Sequence, residues 1–166
     1  MSFQLKPISV DAIPAAIEKV HRYRNLNEPA EAESICLDIL QADPDNQAAL
    51  VLLLLSRSDQ IDEGMSPLRA RDVLPRLTAE YDRAYYAGLI HERAAKAIMK
   101  RGRPGSSHTV YDHLHLAMEC FEMAESLRAH GNDDPILRWN TCARLLMNHP
   151  ELQPRPREVP EPVTSE

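Results

Sequence analysis

The chain is predicted to be all-α, built from about seven helices, on three observations. Ala, Leu, Glu and Arg are common, while aromatic residues make up 5% and there are only five glycines; the common residues lose little rotamer freedom in a helix. No stretch sustains the Val, Ile and Thr alternation of a half-buried strand. Apolar residues instead recur at three- and four-residue steps, in segments separated by short turn signals. One domain of ordinary size fits 166 residues.

Residues 1–10 read as a lead-in. Asp11 is the expected N-cap of a first helix in which Pro14 is tolerated in the opening turn, and Ile13, Ala16, Ile17, Val20 and Tyr23 form one stripe. Asn25 to Glu28 reads as a turn. A second helix is expected from Pro29 to Ala42, stopped by Asp43-Pro44, because the residue before a proline avoids the α region. A third, from Gln47 to Ser58, is apolar nearly all round and is expected in the middle of the assembly. Ser66-Pro67 opens a short fourth helix that Pro75 ends or kinks. The fifth is expected from Thr78 to Lys100, closed by the Gly102 to Ser107 loop. The sixth spans Thr109 to Ala129, and the seventh Pro135 to Asn148. Residues 149–166 are rich in proline and aperiodic, so the sequence predicts a disordered tail after a domain at 11–148.

Charge and cysteine usage narrow the function classes. A net charge of −6 does not favour a nucleic-acid partner. The charge is uneven: residues 25–63 hold nine acids and one base, and residues 64–103 hold nine bases and four acids. Such stretches read as solvated helix faces, or as patches that choose a partner or orient self-assembly. The longest apolar run, Ala48 to Leu55, is far short of the roughly 20 residues of a membrane span. Three cysteines without a CxxC pair, and no secretory signal, suggest a reduced, cytoplasmic setting.

A period of 34 runs through the chain, with units starting near Ile13, Gln47 and Tyr81. Tyr23, Ala32, Cys36, Ile39 and Pro44 mark the first unit. Leu50, Leu53 and Leu54 mark the second, followed by a weaker set at Ser66, Ala70 and Val73. Ala84, Ala87, Gly88 and His91 open the third, and Ala117, Phe121 and Ala124 repeat its second-helix spacing. Trp139, Cys142, Ala143 and Leu146 lie on the final helix. On these residues the chain resembles the tetratricopeptide repeat family, over about 13–148. The resemblance implies a right-handed α-α superhelix of stacked helix pairs. The second unit lacks the family's proline, and the third carries roughly 17 extra residues between its matched halves.

The resemblance also implies a concave face lined by the first helix of each unit. In this chain those residues are Ile17, His21, Arg24 and Asn25, then Val51, Leu55 and Ser58. Tyr85, Leu89 and Arg93 follow, then Asn140, Arg144 and Met147. An apolar middle with arginines at both ends suits a helix or extended peptide with acidic flanks. Some family members clamp a chaperone's C-terminal carboxylate through a lysine and an asparagine; Ile17 and His21 stand there instead.

Catalytic patterns are scarce. Gly102-Arg103-Pro104-Gly105 lacks the lysine and hydroxyl of a phosphate loop, and neither a nucleophile elbow nor HExxH appears. His108, Asp112 and His115 share one helical face with metal-ligand spacing, but His113 lies off it, and surface histidines are the expectation. The cysteines are expected as small core fillers, Trp139 as core, and Glu31 and Glu33 on solvated faces. No cofactor is implied. The expected function is a non-catalytic scaffold or adaptor that holds a protein or peptide. The alternatives are a secretion-type chaperone and a self-assembling structural subunit.

Overall fold

A computed structural model describes residues 3–156. Seven helices make up its frame: α1 (Ile13–Asn25), α2 (Pro29–Ala42), α3 (Gln47–Asp59), α4 (Pro67–Arg71), α5 (Glu80–Arg101), α6 (Ser107–Leu127) and α7 (Asp134–Asn148). No strand occurs among the described residues. No helix there is long and apolar enough to cross a membrane.

Local chemistry sets most boundaries. Asn27 takes a left-handed φ of 60° and turns the chain between α1 and α2. The side chain of Asn46 accepts a hydrogen bond from the Ala49 N–H at 3.0 Å and caps α3. Ser66 caps α4 through the Leu68 N–H. Gly102, at φ 59°, closes α5 in a conformation that costs a side chain but not glycine. Asp11 does not cap α1. It lies inside a 3-10 turn, Val10–Ala12, and the cap position falls to Ala12, which has no side-chain acceptor to offer. The fifth and sixth helices each start two residues away from expectation, with the extended Ala79 and with Ser106 at their cap positions. α4 ends at Arg71, and Pro75 belongs to a separate 3-10 turn, Leu74–Arg76.

Two cores flank α5. Val20, Cys36, Ile39, Leu50, Leu53 and Leu54 centre the first, which Ile90 and Ala97 of α5 join. Val110, Leu114, Phe121 and Cys142 centre the second, which Ala95 of α5 joins. Leu52, Leu53 and Leu54 are all buried, as the apolar circumference of α3 requires. α5 and α6 approach closely at Gly88, where a Cβ would sit 2.7 Å from the Phe121 ring. The segment after α7 departs from the expected disorder at its start: Leu152 is buried against the second core, and the Gln153 carbonyl lies 2.8 Å from Nδ1 of His108. Residues 157–166 of the predicted tail lie outside the described residues.

The acidic and basic stretches meet in ion pairs, among them Glu33 with Arg69 at a buried carboxylate and Asp62 with Lys100 at the surface, and Glu33 also holds Arg57, the one base of its own stretch. Glu33 pairs with Arg57 at 2.9 Å and with Arg69 at 2.8 Å, and Asp62 pairs with Lys100 at 3.0 Å. Glu33 is therefore not on a solvated face; it is 7% exposed. Burial pushes its carboxyl up. Hydrogen bonds from Arg57 and Gln60, with the charges of Arg57 and Arg69, outweigh this and hold it below the usual carboxylate range.

Candidate functional site

A polar groove of about 380 Å³ opens between the C-terminal ends of α1 and α3 and the middle of α5. Arg24, Asn25, Ser58, Asp59, Arg93 and Lys96 line it. Asp59 is its pivot. Arg24 donates from Nε to one carboxylate oxygen at 2.7 Å, and Arg93 donates from the other side. Burial raises the Asp59 pKa, but the two guanidiniums outweigh it and hold the carboxyl below its ordinary value.

The electrostatics of the groove oppose those of the chain. Beside the Asp59 pair, the carboxylate of Glu92 is 1% exposed and is held by Lys96 and Arg138. Of the charged side chains that line the groove itself, Arg24, Arg93 and Lys96 face Asp59 and Asp62, an excess of one positive charge in a chain of net −6. Such a cluster attracts anionic groups over several ångströms and loses that pull as salt rises.

Four of the sequence-predicted concave-face residues, Arg24, Asn25, Ser58 and Arg93, line this groove together. Ser58 is buried and turns its hydroxyl to the Leu55 carbonyl at 2.8 Å, so it forms wall rather than contact surface. The others scatter. Ile17, Val51 and Leu55 pack half-buried against the first core. Tyr85 packs against the second and stacks on Tyr81 with ring centroids 5.7 Å apart. Leu89 is 1% exposed and cannot meet a partner. Its side chain falls on the buried face of α5, since that helix has core on two sides. His21, Arg144 and Met147 are exposed and Asn140 half-buried, all outside the lining of the groove.

Asp59 was missed by the sequence reading. The signal was present: positions 25, 59 and 93 follow the 34-residue period, and all three line the groove. Val20, Leu54 and Gly88 follow the same period and are all buried.

The histidines do not converge as one cluster. His115 pairs with Glu119 at 3.3 Å, and His108 reaches Gln153. His113 meets His91 of α5, with the two Nδ1 atoms 3.1 Å apart. Burial, the neighbouring His113 and Arg71 push His91 down to about 4. Among the described residues, no group of three or more His, Cys, Asp or Glu is placed to hold a metal ion. Cys36 and Cys142 are buried, and burial raises both thiols to about 12, which makes them inert at neutral pH. Cys120 is only half-buried. Trp139 is half-buried too, and its indole N–H donates to Glu122 at 2.9 Å.

No family model matches the chain, and no curated protein or solved structure is significantly similar to it.

Proposed function

We propose that this chain is a non-catalytic helical-repeat module of the tetratricopeptide type, which holds a peptide segment of another protein in the groove between α1, α3 and α5. The observation that carries the reading is the convergence of Asn25, Asp59 and Arg93, one period apart, on a single groove. A stack of repeats brings equivalent positions of successive units side by side, and a bundle with a chance period has no reason to. The groove's excess positive charge supports a segment that carries carboxylates, since guanidinium–carboxylate contacts are charge-assisted and geometrically specific.

The test is affinity capture from a native lysate of the source, comparing the wild-type chain with Asn25→Trp. Asn25 is exposed at the groove and bonds neither arginine, so the substitution fills the mouth without disturbing the Asp59 pair. A partner captured by the wild type is expected to be lost with Asn25→Trp at unchanged helical circular dichroism, and to dissociate as salt rises. Retention of every partner by the variant refutes the site.

A further inference from the structure

A second groove shares no lining residue with the first. It measures about 440 Å³ and runs between α5 and α6, with Ala84, Ala87, Cys120 and Met123 as its floor. α4 leads into it. Met65 and Pro67, at the start of α4, lie beside Ile98 and Arg101 of α5. Four residues later, Arg71 lies near enough to His91, His113 and Cys120 to perturb their titration. With Met65 and Pro67 at the Ile98–Arg101 end of α5, and the Leu77 and Thr78 carbonyls accepting from Arg83 nearer its start, the chain from α4 onward runs antiparallel to α5, and the α-helical part of it ends at Arg71.

That stop is early. α2, the matching helix of the first unit, has 14 residues, whereas α4 has five, and the shortfall of nine is about 13 Å of helix. Beyond Arg71 the chain is drawn away. Pro75 interrupts it, Arg76 donates to the Pro44 carbonyl at 2.7 Å, and the Thr78 N–H donates to the Gln47 side chain at 2.9 Å. The face a longer α4 would cover stays bare. On α6 it presents Leu116, Cys120, Met123 and Leu127, spaced four, three and four, with Leu116 42% exposed and Met123 60%. Such spacing is that of a helix-packing seam.

The rim selects the occupant. Glu80 and Glu119 stand exposed on either side. The third charged residue, Arg83, turns its guanidinium to the Leu77 and Thr78 carbonyls at 2.6 and 3.0 Å. A second copy docking α6 against α6 would bring Glu119 and Glu122 against like charges, which costs stability.

We propose that this groove receives an amphipathic helix of a partner protein, which lays a leucine- and alanine-rich stripe where α4 breaks off and sets lysine or arginine beside Glu80 and Glu119. The occupant continues the line of α4 and completes the layer over α5 and α6. This site is separate from the α1–α3–α5 groove and does not depend on the function proposed for it.

The experiment uses the full chain and two fluorescein-labelled helical peptides. Both carry leucine and alanine at i, i+3, i+4 and i+7; one has lysine at the remaining positions and the other glutamate. Fluorescence anisotropy is expected to show the lysine peptide bound roughly tenfold more tightly or better. The Glu80→Lys, Glu119→Lys pair is expected to invert that preference. Ala87→Arg, which fills the floor, is expected to weaken binding roughly tenfold at unchanged melting temperature, and Asn25→Trp to leave it unchanged. Equal affinity for the two peptides, or binding that Ala87→Arg does not weaken, overturns the proposal. Self-association abolished by Ala87→Arg would replace the partner helix with a second copy. Tighter peptide binding by a chain ending at Pro156 would assign the groove to residues 157–166.

Discussion

Gly88→Ala is a one-carbon perturbation whose sign depends on the α5–α6 contact. In an unconstrained helix the change stabilises by about 1 kcal/mol, because alanine loses less backbone freedom than glycine. Here the new Cβ would lie 2.7, 2.8 and 3.0 Å from three carbons of the Phe121 ring. Ordinary carbon contacts are about 3.5–4.0 Å, so the overlap approaches 1 Å on several atoms at once. Phe121 is fully buried among Leu114, Val110 and Cys142 and has no free direction in which to turn. Either its ring leaves its rotamer or the two helices part. Overpacking of this kind costs about 1–3 kcal/mol, and several short contacts place it at the upper end. After the propensity gain, a net loss of about 2 kcal/mol remains, or roughly 4–8 °C in melting temperature for a chain of this length. Thermal and urea unfolding followed by circular dichroism would measure it. In a Phe121→Leu background the same substitution is expected to be neutral or stabilising, a coupling of about 2–3 kcal/mol. A rise in melting temperature for Gly88→Ala alone, or an equal loss in both backgrounds, would refute the claim that close approach at Phe121 demands the glycine.

Three further substitutions probe other parts of the frame. Glu33→Gln leaves Arg57 without its carboxylate in a buried setting and is expected to cost about 3 kcal/mol in urea unfolding; the contribution of Arg69, 52% exposed, is small. Asn46→Ala removes the α3 cap and is expected to cost about 1 kcal/mol by the same assay, with Asn46→Ser restoring part of it, since Ser keeps a cap acceptor and sets no second carboxylate against Asp43. His91 binds its proton less readily folded, at about 4, than unfolded, at its usual 6.5. Its contribution to stability is therefore full above pH 6.5 and is lost as pH falls toward 4. His91→Gln is expected to flatten that part of a melting-temperature profile, whereas an unchanged profile would place the acid sensitivity elsewhere.

The sequence was most informative where a residue acts on its own backbone. Pro44, Asn46, Ser66-Pro67 and Gly102 fix helix ends by local rules, and those ends lie where the sequence placed them. Asp11 shows the limit even here, since an acceptor one residue from the cap position cannot reach the orphan N–H groups. Burial followed from periodicity where a helix has one neighbour side, as at Cys36 and Ile39. It failed at Leu89, because α5 has core on two sides and a single stripe does not describe it. Long-range polar partners were harder still. Glu33 reaches Arg57 and Arg69, 24 and 36 residues away, and Asp59 reaches Arg24 and Arg93, 35 and 34 away. Such pairs depend on how each helix is rotated about its axis, which composition does not encode. Only the 34-residue spacing carried a trace of the second set.

The position of α5 between two cores has a mechanical consequence. Residues Gly102 to Ser106 form the joint after it, exposed as far as Gly105, and cutting the chain there would not release two independent domains. The N-terminal piece would keep α5 with Gly88 and Ala95 bare, and the C-terminal piece would hold Phe121 and Leu114 covered by α7 alone. Each fragment is the missing wall of the other. A nicked molecule should stay together without a covalent link, and α6–α7 supplied as a separate polypeptide should find α5 and rebuild the second core.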